Sequence, residues 1–187
     1  MPRYYIVVGA PENFQITADR GFTLHGLKSR RRKTAEQLEK GDKILFYLTG
    51  IQAWGGIATV MGEAYEDHTP IWSGKKEGED YPNRFPIAPD LILGVEHSLK
   101  VEPMVPDIEY LKKWPAQHWR LGFQGNVHEI GEGDYKTIRK GMEKASKSPA
   151  PKAGSKATAK SPAKTAKSHA KDAKATAKSP AKAAKKK

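Results

Sequence analysis

The clearest pair of strands in this sequence is KILFYLTGIQAWGGIATV, residues 43–60. Residues 43–48 form an apolar run of strand-forming side chains with a glycine-containing turn on either side. Residues 55–60 follow after a short loop, so we expect them to return as the antiparallel partner of the first run. The adjacent glycines Gly55 and Gly56 permit a close backbone approach or a β-bulge at that point.

Weaker strand and helix signals surround this pair. A β-branched and aromatic run at residues 4–8 ends at a Gly-Ala-Pro turn and predicts another buried strand. Residues 34–37 have capping-box spacing, which predicts a helix of about two turns over residues 34–40. Shorter signals predict strands at 83–87, 91–93 and 128–130 and helices at 107–113 and 134–142. Many short strands with short peripheral helices predict a small β-barrel of the α+β class.

The positive charge of the chain is concentrated at its C-terminal end. Of the 187 residues, 33 are Lys or Arg and 21 are Asp or Glu, a formal net charge of +12. Residues 145–187 contain 13 lysines and a single acid, Asp172, so residues 1–144 carry no net charge. Residues 145–187 also lack every large apolar side chain, so they cannot offset the entropy of ordering. We predict one compact domain over residues 1–144 and a disordered lysine-rich tail over residues 145–187.

The tail repeats the unit Lys-Ser-Pro-Ala three times between spacers of Ala, Lys and Thr. Its composition resembles that of a linker-histone C-terminal tail. Evenly spaced lysines keep the charge density high, and the Ser-Pro units break helices. We expect the tail to bind nucleic acid without sequence preference by neutralising phosphates, and phosphorylation of its serines to weaken that binding. The phosphate contacts expected here are Lys160, Lys164, Lys178 and Lys182.

The sequence has none of the motifs that mark catalysis or metal binding. With no cysteine, the chain has no disulfide framework, thiolate metal site or cysteine nucleophile. It contains no phosphate loop, nucleophile elbow or metalloprotease helix motif. The histidines of the predicted domain lie singly, which indicates packing or surface roles; they are His25, His68, His97, His118 and His128. We therefore expect a non-enzymatic protein without a metal or cofactor.

No segment predicts export or membrane insertion. The N-terminal apolar run at residues 4–8 is too short for the core of a signal peptide. No stretch approaches the roughly 20 apolar residues that span a bilayer. We expect a soluble intracellular protein without a membrane partner, cytoplasmic and nucleoid-associated in a prokaryote or nuclear in a eukaryote.

A series of segments in a fixed order resembles the EVE domain, a branch of the PUA-like fold related to YTH domains. The segments are YIVVGAPEN (5–13), HGLKSR (25–30), LEKGDKILFY (38–47), GIA (56–58), DHTPIW (67–72), YPNRF (81–85), WRLGFQG (119–125) and HEI (128–130). The resemblance covers essentially all of residues 3–140. It implies a PUA-like small β-barrel for the predicted domain.

The resemblance also implies a pocket for a modified base, because YTH domains bind a methylated adenine in an aromatic cage. A base pulled out of the stack must regain its lost stacking on aromatic or apolar side chains and through hydrogen bonds to its edge. Ordered comparison with YTH domains places Trp72 at one cage tryptophan and Leu27 at or beside the other. Lys28 and Ser29 fall in the adjacent loop. Leucine in place of tryptophan departs from the YTH pattern and favours another base, such as methylated or hydroxymethylated cytosine.

Two further residues are candidates for this pocket. Trp54 precedes the glycine pair and either flanks the pocket or fills the end of the barrel. Gln124 either presents its amide to a base edge or belongs to a turn at the end of a strand.

A dense basic run lies beside the predicted pocket loop. Residues 28–33, KSRRRK, contain five basic residues in six. In a domain without net charge, this concentration favours contact with nucleic-acid phosphates over a merely solvated face. The expected phosphate contacts are Arg30, Arg31, Arg32 and Lys33.

These observations predict a non-enzymatic module that recognises a modified, flipped-out base, with DNA as the favoured partner and the tail adding non-specific affinity. One alternative is an RNA-binding reader of a modified base. A second is a nucleoid structural protein that acts mainly through its tail. A third is an enzymatic role in base processing or as the specificity subunit of a nuclease, which the lack of a carboxylate cluster or nucleophile disfavours.

Overall fold

The computed structural model describes residues 1–74 and 78–147. Within these residues the strands are β1 Tyr4–Gly9, β2 Leu24–Leu27, β3 Lys43–Leu48, β4 Ala53–Val60, β5 Tyr65–Glu66, β6 Asn83–Ile92, β7 Leu99–Lys100 and β8 Val127–Ile130. The α-helices are α1 Pro11–Asp19, α2 Arg32–Glu36 and α3 Glu132–Lys147. Within the same residues, four 3₁₀ segments lie at Ser29–Arg31, Glu102–Asp107, Glu109–Lys113 and Ala116–Phe123.

The strands form a curled mixed sheet in the order β2-β6-β4-β3-β1-β8. β1 and β3 are parallel, whereas β3–β4, β4–β6, β2–β6 and β1–β8 are antiparallel. The two short strands pair on the sides, β5 with β6 and β7 with β4. The sheet curls into a half-barrel with short helices at its periphery, which confirms the predicted α+β, PUA-like class.

The predicted strand pair at residues 43–60 is confirmed, with a bulge at the glycines. The register of β3 and β4 shifts between Phe46 and Tyr47, which pair with Gly56 and Trp54, so Gly55 is the extra residue. A Cβ on Gly55 would lie 2.8 Å from Cδ1 of Leu48. Only glycine permits this close approach.

Strands β1 and β3 bury side chains on both faces of the sheet. Ile6 and Leu45 belong to a first core, which α3 and the 3₁₀ segments after β7 cover. Tyr5 and Ile44 belong to a second core, which contains Phe14 of α1. Because both faces are buried, β1 and β3 appear in the sequence as continuous apolar runs.

The second helix begins and ends earlier than predicted. Thr34 lies inside α2 and is not its N-cap, and the residue before the helix, Arg31, closes a 3₁₀ turn. After Glu36 the chain turns, and the carboxylate of Asp42 accepts hydrogen bonds from the backbone nitrogens of Glu39 (3.0 Å) and Arg3 (2.8 Å). The capping-box spacing at Thr34 therefore does not mark the start of this helix.

Other differences from the sequence predictions also have local causes. Helix α1 was not predicted because two of its three buried residues, Asn13 and Thr17, are polar, so it carries no apolar stripe. Residues 107–113, predicted as a helix, form 3₁₀ segments, in a region interrupted by Pro103, Pro106 and Pro115. The strand predicted at 83–87 and the first two residues of the strand predicted at 91–93 belong to one strand, β6, which ends at Ile92.

Helix α3 crosses residue 144, where the predicted domain ends and the predicted tail begins. Helix α3 continues to Lys147, and Ala145 packs against the first core. The predictions for the rest of the tail, including its disorder, lie outside the described residues. Among residues 1–74 and 78–147, no helix combines the length and apolar character that a membrane crossing requires.

Candidate nucleic-acid interface

An aromatic cavity lies against the end of β1 and β3, beside the loop that contains Trp72. Its volume is about 20 Å³, room for about one water molecule. Apolar residues of β1, α1 and β3 form most of the wall. The polar and aromatic side chains that complete it are His25, Asn13, Trp72, Tyr81 and Asn126.

Trp72 is held firmly in the cavity wall. The residue is 7% exposed, and its indole Nε1 donates a hydrogen bond of 2.9 Å to Oγ1 of Thr17 on α1. The ring meets His25 edge-on at 5.5 Å and Tyr81 at 6.2 Å between centroids. The guanidinium of Arg84 lies 5.8 Å from the ring centroid. The structure therefore places Trp72 in the cavity wall, with its polar atom already engaged.

Asn13 attaches the Trp72 segment to α1. Its Oδ1 accepts from the backbone nitrogen of Ser73 (3.0 Å), and its Nδ2 donates to the carbonyl of Ser73 (2.8 Å). The same Nδ2 donates to the hydroxyl of Tyr81 at 3.4 Å. One asparagine side chain thus links α1 with both aromatic walls of the cavity.

His25 occupies the cavity wall from β2 and makes contacts of a different kind. The residue is 8% exposed, and its ring meets Phe46, Trp72 and Phe85 edge-on at 5.1, 5.5 and 6.0 Å. Burial lowers the pKa of His25 to about 4. The imidazole is therefore neutral at physiological pH.

Lys28 and Ser29, the predicted pocket-loop residues, are outside the cavity lining, and acidic side chains engage both. The Lys28 Nζ forms an ion pair of 2.7 Å with Glu79 and lies 5.7 Å from the Tyr81 ring centroid. The Ser29 hydroxyl donates to Asp80, whose other carboxylate oxygen contacts Nδ1 of His68 at 2.7 Å. These hydrogen bonds from Ser29 and His68 lower the pKa of Asp80.

Two buried asparagines hold the Lys28 loop across the opening of the half-barrel. Asn126 precedes β8, and its Oδ1 accepts from the backbone nitrogen of Lys28, after β2, at 3.1 Å. Its Nδ2 donates to the carbonyl of Val8 at 3.3 Å. On the other side, the Asn83 amide donates to the carbonyl of Lys28 at 2.9 Å. β2 and β8 stand at the two ends of the sheet order, so Asn126 is a side-chain bridge between them.

The other predicted pocket residues lie elsewhere. Leu27 is fully buried in the second core, and Trp54 is fully buried in the first core. Tyr47 and Phe123 meet the Trp54 ring edge-on at 5.8 and 5.7 Å. Neither Leu27 nor Trp54 lines the cavity, because each points from its strand into a packed core. Gln124 is exposed at the end of a 3₁₀ segment, two residues from Asn126.

The predicted basic run forms a surface that we call the basic edge: Arg30, Arg31, Arg32 and Lys33. Arg30 and Lys33 are exposed and form no ion pair with another described residue. Arg32 pairs with Glu36 at 2.8 Å and Glu66 at 3.5 Å. Arg31 is half-buried, with its Nη2 3.1 Å from where a Cβ on Gly125 would lie. The predicted tail contacts, Lys160, Lys164, Lys178 and Lys182, lie outside the described residues.

A second cavity of about 200 Å³ lies on the outer side of Trp72 and Tyr81. Its lining includes Asp67, Glu79 and Asp80. Arg84, which is 3% exposed, pairs with Asp67. The concentration of carboxylates makes this cavity unfavourable for a phosphate chain. In residues 1–74 and 78–147 no group of three His, Asp or Glu side chains is arranged to hold a metal ion.

Sequence reasoning missed four side chains of this site: Asn13, His25, Tyr81 and Asn126. The first three lie within segments that carry the resemblance, but nothing in their spacing separates a pocket residue from a packing residue. Asn126 lies between those segments, in the turn before β8. His25 is a polar residue between the apolar residues of β2. This polar residue in an apolar segment was the signal for a site residue that the sequence offered.

Comparison with known proteins agrees with the fold. Residues 3–141 match the EVE domain family. A UPF0310 protein of Pyrococcus abyssi is 28% identical over 144 residues, which are 72% of this chain and 96% of that protein.

Solved structures share the fold at low sequence identity. A hypothetical protein from Leishmania major has a TM-score of 0.54 at 16% identity, covering 79% of this chain and 98% of that one. The Mmi1 YTH domain has a TM-score of 0.56 at 12% identity, covering 77% and 76%. The Mmi1 YTH domain in complex with RNA has a TM-score of 0.55 at 12% identity, covering 77% and 79%. From the family match over residues 3–141 and the half-barrel architecture, this chain belongs to the EVE domain family.

Proposed function

We propose that this chain is a nucleic-acid-binding module that recognises a modified, flipped-out base in the cavity between Trp72 and His25. The observation that carries the proposal is the position of a buried, aromatic-walled cavity next to a loop with exposed cations that form no ion pair within residues 1–74 and 78–147. Trp72 and Tyr81 offer rings for stacking, and Arg30 and Lys33 follow directly from the loop beside the cavity.

Entry of a base requires the cavity to open. Its volume of about 20 Å³ is far below the roughly 300 Å³ of the smaller common ligand pockets. β1, β2 and β3 are fixed in the sheet, whereas Trp72 lies in a segment without regular secondary structure. We expect the Trp72 and Tyr81 wall to move outward against its hydrogen bonds to Thr17 and Asn13, so part of the binding free energy opens the cavity and lowers the apparent affinity.

The basic edge supplies the phosphate contacts in this proposal. Arg30 and Lys33 lack competing carboxylates among the described residues, so they are free to neutralise phosphates. The lysine-rich tail, with 13 lysines and one acid over residues 145–187, adds affinity that does not depend on sequence. The cavity selects the base, while the tail raises the local concentration of nucleic acid.

For the chemistry of the ligand, we propose a modified cytosine in DNA. Leu27 lies in the core and supplies no second cage ring to the cavity, which is consistent with a base other than methyladenine. With this ligand the protein is chromosome-associated, in the nucleoid or the nucleus.

A second candidate is an RNA reader. The observation in its favour is the fold shared with the Mmi1 YTH domain, which has been solved in complex with RNA. The 2′-hydroxyl is the group that separates these two ligands, so matched DNA and RNA probes distinguish them.

The test is binding of the full chain to oligonucleotides that differ at one base. Fluorescence anisotropy is measured with DNA and RNA of one sequence, unmodified or carrying a single methylated or hydroxymethylated cytosine or a methyladenine. Trp72→Ala removes the proposed stacking surface. Trp114→Ala is the matched control, because its indole packs on Tyr110 at 5.4 Å, away from the cavity.

We expect one modified probe to bind more tightly than its unmodified partner. That preference should disappear in Trp72→Ala and persist in Trp114→Ala. Equal affinity for every probe, unchanged by Trp72→Ala, contradicts a base-reading cavity. In that case, loss of all binding when Lys160, Lys164, Lys178 and Lys182 are replaced by glutamine would assign the function to the tail.

A further inference from the structure

The polar side chains of the aromatic cavity differ in whether the protein already engages them. Asn13 binds both backbone groups of Ser73, and Asn126 binds Lys28 and Val8. The indole nitrogen of Trp72 donates to Thr17. These groups hold the cavity wall together, so they are committed before any ligand arrives.

His25 is the exception. Its Nδ1 is buried and has no hydrogen-bond partner among the described residues. The surrounding rings of Phe46, Trp72 and Phe85 offer the imidazole no conventional acceptor or donor. Native proteins satisfy nearly all buried polar atoms, so an unpartnered one in a cavity wall calls for a functional explanation.

The backbone makes His25 a fixed part of the cavity. It lies in the middle of β2 and pairs with Phe85 of β6. When the Trp72 wall moves outward, the imidazole keeps its position in the sheet. Because His25 lines the cavity, a base that entered would meet its imidazole among largely apolar neighbours.

We propose that His25 is the specificity-determining residue of the cavity and that its unpartnered nitrogen hydrogen-bonds the edge of the inserted base. This inference rests on the proposed base-reading function. A neutral imidazole has one N–H and one bare nitrogen, so it matches the donors and acceptors on a base edge. The neutral imidazole carries no charge that would attract phosphate. It therefore affects which base is bound, and the basic edge contacts the nucleic-acid backbone.

The experiment combines substitution with direct observation of the imidazole. His25→Phe keeps a ring among the aromatic neighbours and removes both nitrogens, and His25→Gln keeps a donor and an acceptor. Both full-length variants are titrated with DNA carrying one hydroxymethylated or methylated cytosine and with the unmodified DNA. The ring nitrogens of ¹⁵N-histidine-labelled wild type are followed by NMR during the same titration, and the His25 signals are identified by their absence in His25→Phe.

We expect His25→Phe to lose about tenfold of the preference for the modified probe. His25→Gln should retain part of the preference, and the His25 ring nitrogens should shift on binding in the wild type. A preference that His25→Phe retains in full, with no shift of the His25 nitrogens, overturns the role of His25. If Trp72→Ala abolishes the preference in that same series, the base-reading function stands while this inference fails.

An unfolded His25→Phe would not remove the test, because His25→Gln and the NMR titration remain. If wild type shows no preference and no His25 shift with any probe, both the base-reading function and this inference are overturned. A His25 shift that accompanies binding of unmodified and modified DNA alike would also overturn it, because the imidazole would then report contact without selection.

Discussion

Gly26 and Trp72 are in direct contact: a Cβ added to Gly26 would lie 2.7 Å from Cζ3 of the Trp72 indole and 2.8 Å from the carbonyl oxygen of Tyr81. A side chain at residue 26 would therefore push both aromatic walls of the cavity outward. The position of the indole depends on the absence of a single methyl group.

Gly26→Ala should displace Trp72 and weaken the preference for the modified base, as Trp72→Ala does. The overlap should also destabilise the domain by about 1–3 kcal/mol. Chemical denaturation and anisotropy titration measure the two effects. Gly133→Ala is the control, because a Cβ there meets no atom within 4 Å. Identical binding by Gly26→Ala and the wild type would show that the position of Trp72 is unimportant.

Thr17→Val should destabilise the domain by about 1–3 kcal/mol, because it leaves the buried indole nitrogen of Trp72 without an acceptor. The hydroxyl also donates to the carbonyl of Asn13 at 3.0 Å, so two contacts are lost. Urea denaturation gives the change in the free energy of unfolding. Thr23→Val is the matched control, because its exposed hydroxyl donates only to Arg20, and a surface change should stay within about 0.5 kcal/mol.

Asn126→Ala should remove the bridge across the opening of the half-barrel. Loss of its bonds to Lys28 and Val8 should lower stability by about 2 kcal/mol and loosen the loop that leads into the basic edge. The affinity for unmodified DNA should also fall, because this loop positions the basic edge. Gln124→Ala is the control, because Gln124 is exposed in the same turn and its loss should leave stability unchanged. The same variant also tests the predicted contact of the Gln124 amide with a base edge. Equal stability of the two variants would contradict the bridging role.

Arg30→Gln should reduce the salt dependence of binding. Each phosphate contact contributes a slope of about 0.9 for duplex DNA and about 0.7 for single strands in a plot of log affinity against log salt. Arg32→Gln is a charge-matched control whose guanidinium is already paired with Glu36 and Glu66, so its effect should be smaller. Equal slopes for Arg30→Gln and the wild type would remove Arg30 from the phosphate contacts.

The domain should lose stability between about pH 6.5 and pH 4. The pKa of His25 falls from 6.5 to about 4 on folding because of burial, so in this range the unfolded chain binds more protons. The free energy of unfolding therefore decreases as the pH falls, by roughly 3 kcal/mol at most. Thermal unfolding at a series of pH values measures the loss, and His25→Phe should flatten the profile.

Two other histidines contribute to the same profile with opposite signs. Burial, and to a lesser extent the charge of Arg31, lowers the pKa of His128. His128 therefore adds to the loss of stability at acid pH. Hydrogen bonds to Asp80 and Glu66 raise the pKa of exposed His68, so its contribution is favourable at low pH and disappears as the pH rises through its folded pKa. A profile in His25→Phe as steep as in the wild type would assign the acid loss to His128 instead.

The sequence could indicate only some of the residues that line the candidate site. In the structure Trp72 lines the cavity, while Lys28 and Ser29 follow β2 and contact Tyr81 and Asp80. Leu27 and Trp54 point into the two cores instead. In a strand with both faces buried, residue type does not tell which core, or which cavity, a side chain faces.

The sequence by itself indicated the central strands, a bulge or close backbone approach at the Gly55-Gly56 pair, and the family. Continuous apolar runs, glycine spacing and the order of short motifs are local properties that survive without coordinates. Only the tertiary structure decided which residues meet around the cavity. His25, Asn13, Trp72 and Asn126 come from four separate parts of the chain, and they are brought together by the curl of the sheet and by hydrogen bonds that span up to 118 residues. Contacts between such distant residues leave no periodic signal, so the lack of a partner for Nδ1 of His25 among the described residues was visible only after folding.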